Sequence, residues 1–250
     1  MNKKEILDSI FYPRKSYKEQ DLKDLLIPVS EDVSVGARVF LDNKNFPNIL
    51  FFHGNAELAQ EYDDIANFYK NHNCNLIVSD YRGYGLSSGI SEKDNLLSDS
   101  VKIFDYIENF LSTKGFRRPV IVMGRSLGSA SAWEIASKRL KNIGAVIIES
   151  GFATEYPLLD LMGIAPSSIE FSLNDGFGNL EKIKKYKKPL LIIHAEEDHI
   201  VPLSEGELAY KAALSKNKKI VVVESANHNN IIYRLGDRYF KDIEDFIDSI

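Results

Sequence analysis

Short apolar runs of β-rich composition alternate along this chain with longer stretches of helical period, and that alternation leaves few architectures open. Residues 48–52, 75–79, 120–123, 145–148, 190–193 and 220–223 read as strands of a mainly parallel sheet wrapped by helices, an α/β fold. Upstream, 25–29 and 33–41 flank Ser30-Glu31-Asp32 as an antiparallel hairpin feeding the sheet edge, which brings the count to eight strands. The clearest helix is 94–111, where Leu97, Val101, Phe104 and Leu111 share a stripe and Ser91 caps the start with Asp94. Phe240, Ile243, Ile247 and Ile250 repeat the pattern, so the last helix should dock on the sheet.

The segment 152–188 breaks the rhythm. Pro157, Gly163, Pro166, Gly176 and Gly178 punctuate it, and it reads as a small lid over one sheet edge, inserted in a single domain spanning 1–250. Lysines and arginines number 31 against 36 aspartates and glutamates, a net charge of −5. That balance lacks the basic surplus a nucleic-acid partner requires. The one cysteine, Cys74, can neither close an internal disulfide nor supply a thiolate metal site. Near the start, Glu5 and Asp8 stand where a signal peptide needs apolar residues, and Asn2 stands where myristoylation needs glycine. With no apolar run near the roughly 18 residues of a membrane span, a cytoplasmic chain without an integral membrane segment is expected.

The sharpest chemical signal is Gly124-Arg125-Ser126-Leu127-Gly128, a Gly-x-Ser-x-Gly string between the strand 120–123 and a helical stretch from about Ser129. A serine on so tight a turn takes a strained backbone, and the flanking glycines remove the side chains that would clash. A serine hydroxyl needs a histidine base oriented by an acid. Of five histidines, only His228 leaves room after Ser126 for an acid loop and a further strand. Asp198, immediately after 190–195, is the favoured acid; Glu196, Glu197 and above all Glu149, at the end of the preceding strand, compete. Two amides would hold an oxyanion: that of Leu127, and that of Asn55 in His53-Gly54-Asn55-Ala56. His53 itself reads as a loop-packing residue.

These landmarks, with Asp80-Tyr81-Arg82-Gly83-Tyr84-Gly85-Leu86-Ser87 between them, occur in an order that resembles the α/β-hydrolase superfamily from about Leu25 to the C-terminus. The Tyr-Arg-Gly-Tyr-Gly segment, Arg125 and the short lid are similar to a branch containing protein depalmitoylases and uncharacterised bacterial hydrolases. The resemblance implies a Ser126, Asp198, His228 triad and an eight-stranded sheet with only its second strand antiparallel. The depalmitoylases' cysteine-rich anchor has no counterpart here, which argues against a lipidated-protein substrate.

Other signals stay structural. Gly83, Gly85 and Gly89 miss the dinucleotide spacing by one place, with Arg82 free to pair with a carboxylate. His194 and His199 are too badly spaced to share a metal. Trp133 should pack its helix on the sheet, Cys74 is an incidental thiol beside an unoriented His72, and the lysines of 182–188 form a solvated face. The expected activity is hydrolysis of a small-molecule carboxylic ester or thioester without metal or cofactor, with Phe152, Tyr156, Leu158, Leu159, Leu161, Met162 and Phe171 sized for a medium acyl group. A peptidase of the aminopeptidase or prolyl-oligopeptidase kind is the alternative, and a non-catalytic binding protein on the same fold is a third reading.

Overall fold

A computed structural model describes residues 2–250. Eight strands form one sheet: β1 (Asp24–Ser30), β2 (Val33–Phe40), β3 (Asn48–Phe52), β4 (Asn75–Ser79), β5 (Val120–Arg125), β6 (Ile143–Glu149), β7 (Leu190–Ala195) and β8 (Lys218–Val223). Their order is β1-β2-β4-β3-β5-β6-β7-β8, with β2 antiparallel to both neighbours and every later pair parallel. The helices are α1 (Lys3–Asp8), α2 (Asp63–Asn71), α3 (Lys93–Thr113), α4 (Gly128–Lys138), α5 (Tyr156–Leu161), α6 (Asn179–Ile183), α7 (Leu203–Ala212), α8 (Ile231–Leu235) and α9 (Asp237–Asp248).

Strands β3 to β7 are almost wholly buried, because helices cover both faces of the sheet; hence their continuous apolar runs. One core packs α1, α3 and α4 onto the sheet, and a second gathers α2 and α9 on the other face. Register brings Phe52 beside Gly124, Arg125 beside Glu149, Glu149 beside Ile193 and Ala195 beside Val223. The loops that leave these carboxyl ends therefore open on one edge, where open α/β sheets gather ligand groups.

Three details differ from the sequence reading. The start of α3 is capped from outside: Asp8 accepts from the Lys93 amide at 2.9 Å, while the Ser91 hydroxyl is committed to the Arg82 carbonyl. The stripe of α3 is rotated to Leu96, Ile103, Phe104, Ile107 and Leu111, leaving Leu97 and Val101 half-buried. Ile250 lies beyond α9 at the surface, and Phe246 fills the core beside Phe240, Ile243 and Ile247.

Residues 152–188 leave and re-enter at the interior strands β6 and β7, so they do not line an outer sheet edge. The buried Glu205 carboxylate pins their root by accepting from the amides of Ala153 and Thr154 at 2.8 and 2.7 Å. Farther out, Lys3 pairs with Asp175 at 3.0 Å. Phe152, Leu159 and Phe171 are spent in the core, Leu158 and Met162 are half-buried, and Tyr156 and Leu161 remain exposed. Trp133 meets Tyr186 edge to face with ring centroids 5.5 Å apart, clamping α4 to the end of this segment.

Candidate active site

Strand β5 runs into α4 through a single tight turn. Ser126 sits there with φ of +51°, a left-handed conformation costly for a residue with a Cβ. Cross-bonds hold it: the Ser126 amide donates to the Glu149 carbonyl at 2.9 Å, and the Ser129 hydroxyl donates to the Ser126 carbonyl at 2.7 Å. A methyl group at Gly128 would strike the backbone of Phe52 and His53, and one at Gly124 would strike Gly128 itself. Both glycines are demanded by the close passage of β3, β5 and α4.

After β8 the chain turns through Ser225, also left-handed at φ +54°, and delivers His228. The sequence left this loop open to solvent, yet the ring is buried, with Asp198 against it. His228 Nδ1 donates to Asp198 at 2.8 Å from Oδ2 and 3.0 Å from Oδ1. The same carboxylate accepts the amides of Ile200 and Val201 at 3.0 and 2.8 Å. Burial opposes charge on Asp198, but the His228 ring and the Val201 amide outweigh it and hold the carboxyl below its ordinary range. The ring is thereby fixed with Nδ1 protonated and Nε2 directed away from the acid. Its hydrogen bonds run to Asp198 and none runs to the Ser126 hydroxyl.

Arg125 joins these loops. Its guanidinium donates to the Glu149 carboxylate at 3.0 Å, to Glu57, to the His228 carbonyl at 2.7 Å and to Asn229 Oδ1 at 3.2 Å. The residue before the serine thus fixes the main chain of the histidine. Glu149 is occupied by Arg125 and the Tyr239 hydroxyl, so the carboxylate that meets the imidazole is Asp198.

Tyr81 donates to the His53 carbonyl; His53 Nδ1 donates to the Gly54 carbonyl at 2.8 Å; the Gly54 amide reaches Glu57 at 3.2 Å. The Ala56 amide bonds Asn55 Oδ1 at 3.1 Å, and the Ala56 carbonyl takes Arg14 at 2.6 Å. Among the described residues, the amides of Asn55 and Leu127 donate to no protein acceptor. His53 is wholly buried, with Gly54 O against one ring nitrogen and Asp80 Oδ1 at 3.0 Å from the other, a setting that favours the charged ring. Burial works against that charge, but Asp80 prevails and raises the histidine above its usual value.

Arg82 pairs with Asp99 at 2.5 and 2.9 Å, and His194 braces the acid loop through Val201 O at 2.8 Å. His72, read as unoriented, bonds the Phe68 carbonyl at 2.9 Å and approaches Asp237 at 3.4 Å. Cys74 is buried, its thiol pushed up to about 12 by burial and the nearby carboxylates. Sequence reasoning missed the clamp made by Arg125, Glu57 and Tyr239. Its one visible sign was a charged residue ending an otherwise apolar strand.

Among the described residues no helix is long and apolar enough to cross a membrane. A family model described as serine aminopeptidase, S33, matches residues 44–165. Protein bem46 of Schizosaccharomyces pombe is 31% identical over 205 residues, covering 80% of this chain and 67% of that protein. Alpha/beta hydrolase domain-containing protein 17B of Xenopus laevis is 33% identical over 203 residues, covering 80% of this chain and 65% of its own. The chain spans about two thirds of the length of these curated relatives. An esterase of Pyrococcus furiosus superposes with a TM-score of 0.74 at 16% identity, covering 95% of this chain and 98% of that one. Shared residues over four fifths of its length and a shared path of the backbone lead to one assignment: this chain belongs to the α/β-hydrolase superfamily.

Proposed function

We propose that this hydrolase acts through Ser126, cleaving carboxylic esters or thioesters of small molecules by way of an acyl-enzyme. The observation that carries the reading is the buried Asp198–His228 hydrogen bond, tied by Arg125 to the turn that strains Ser126. His228 Nε2 takes the hydroxyl proton as Ser126 Oγ bonds to the acyl carbon. The carbonyl electrons move to oxygen, where the amides of Leu127 and Asn55 receive them. Collapse breaks the bond to the alcohol or thiol, which leaves with the proton from His228. Water then repeats the sequence on the acyl-serine and releases the acid. Asp198 keeps the tautomer and steadies the imidazolium. Residues 152–188 serve as the lid over the acyl group, offering Tyr156 and Leu161 as open apolar surface.

Intact-mass analysis with a fluorophosphonate tests this directly. One adduct on the wild type, none on Ser126→Ala or His228→Ala, and turnover of p-nitrophenyl esters are expected; adduct formation on folded Ser126→Ala would refute it. The aminopeptidase description of the matching family model favours a second reading, cleavage of amides at a peptide terminus. Turnover of aminoacyl p-nitroanilides faster than of the corresponding esters would select it.

A further inference from the structure

We infer that Tyr84, together with the main chain of Ile10 and Tyr12, is a positioning device that aims the Asn55 amide at the oxyanion. The inference rests on the hydrolase reading and gives Tyr84, Ile10 and Tyr12 a role that this reading does not assign. The side chain of Asn55 is clasped on both sides. Its Nδ2 donates to the Ile10 carbonyl at 2.6 Å, and its Oδ1 accepts from the Tyr12 amide at 3.0 Å, so one amide group reads two backbone groups of the N-terminal segment. The Tyr84 hydroxyl closes the ring. It donates to Asn55 Oδ1 at 2.6 Å and accepts from the Tyr12 amide at 3.0 Å.

The segment that supplies these groups is itself anchored. Ile6, Leu7, Ile10 and Phe11 are buried in the core, Arg14 donates to the Ala56 carbonyl, and Lys15 Nζ reaches the Ser87 carbonyl at 2.6 Å. Residues 10–15 thereby join the loop carrying Asn55 to the loop carrying Tyr84. The consequence is geometric: a side chain with three polar contacts outside its own loop cannot rotate without carrying its backbone along. The Asn55 amide is therefore held in place before a substrate arrives, which is what electrostatic preorganisation requires. Tyr84 is wholly buried against Tyr81 and His53, so Tyr84→Phe removes the hydroxyl and keeps the ring packing.

The test compares wild type, Tyr84→Phe and Ser126→Ala in full-length protein, by p-nitrophenyl acetate kinetics, thermal melting and amide hydrogen exchange. The expected result for Tyr84→Phe is a fall in kcat of about tenfold with KM within about twofold. Exchange should rise in peptides covering 8–16 and 53–57, with little change in melting. Unchanged kcat and exchange overturn the inference. So does a higher KM at constant kcat, or a loss of kcat that follows a loss of melting temperature, because the hydroxyl then serves binding or folding. Retention of the wild-type rate by Ser126→Ala sinks the hydrolase reading instead; the clasp then stands or falls on exchange alone, and unchanged exchange overturns it.

Discussion

Replacing Arg125 with methionine should cost this protein more than any other single change beside the serine that leaves the backbone untouched. The guanidinium sits between two carboxylates, Glu149 with 3% and Glu57 with 25% of its side chain exposed, and is itself 13% exposed. Methionine fills a similar volume but leaves both charges without their cation. Glu149 keeps the Tyr239 hydroxyl; Glu57 keeps the Tyr62 hydroxyl at 2.5 Å and the Gly54 amide. Breaking a buried pair in this way costs about 3–5 kcal/mol. At this chain length each kcal/mol moves the melting temperature by about 2–4 °C, so the variant should melt roughly 6–20 °C lower at pH 7. The pH dependence has a definite sign. Burial opposes charge on Glu57, yet Arg125 and then His53 hold its value below normal, so it stabilises the folded wild type above the unfolded carboxyl range and loses that contribution only on acidification through the lowered value. Without Arg125, burial loses its largest opponent and only His53, Tyr62 and the Gly54 amide still work against it, so the carboxyl rises and protonation relieves the variant first. The gap in melting temperature is therefore widest at pH 7 and narrows toward pH 5. Scanning calorimetry at both pH values measures it. A gap under about 2 °C at pH 7, or one that widens on acidification, refutes the reasoning.

Two further outcomes follow from the site. Asp198→Asn should lower kcat for p-nitrophenyl acetate by about 10⁴, whereas Glu149→Gln should lower it by about tenfold or less; equal losses would return the orienting role to Glu149. Cys74 should resist iodoacetamide at pH 8 in the folded protein, since its thiol lies at about 12, and should react once in denaturant, as mass spectrometry would register.

What could be read from the chain and what could not divides along a physical line. Strands β3 to β7 and the turn around Ser126 announce themselves because burial on two faces and a strained turn each restrict composition locally. Asp198 and His228 could be ranked by order along the chain, and Asp198 preferred to Glu149, but that Arg125 and Tyr239 already occupy Glu149 could not be read there. Tyr239 lies over a hundred residues from Arg125 in sequence, and no local pattern couples them. The rotated stripe of α3 shows the same limit. Leu96 and Leu97 are equally apolar, and it is Asp8, 85 residues upstream, that caps the start of the helix. Similarly, Asn55 was chosen for its amide, while its side chain, bound to Ile10 and Tyr12, gave no sign in the sequence.

The clamp around Arg125 also imposes a timetable on synthesis. Chains emerge from the ribosome N-terminus first, and domains complete their packing only when the last element is free. Ser126 and Arg125 are made when barely half of this chain exists, but the imidazole arrives at residue 228 and the phenol that shares Glu149 arrives later, on the final helix. Until then Glu149 has an arginine but no tyrosine, whereas Glu57 already has Tyr62, and Ser126 lacks the base proposed for it. On the proposed mechanism a nascent chain thus carries Ser126 in a dormant form until residue 228 has been made and packed, and chemical competence follows the closing of the clamp.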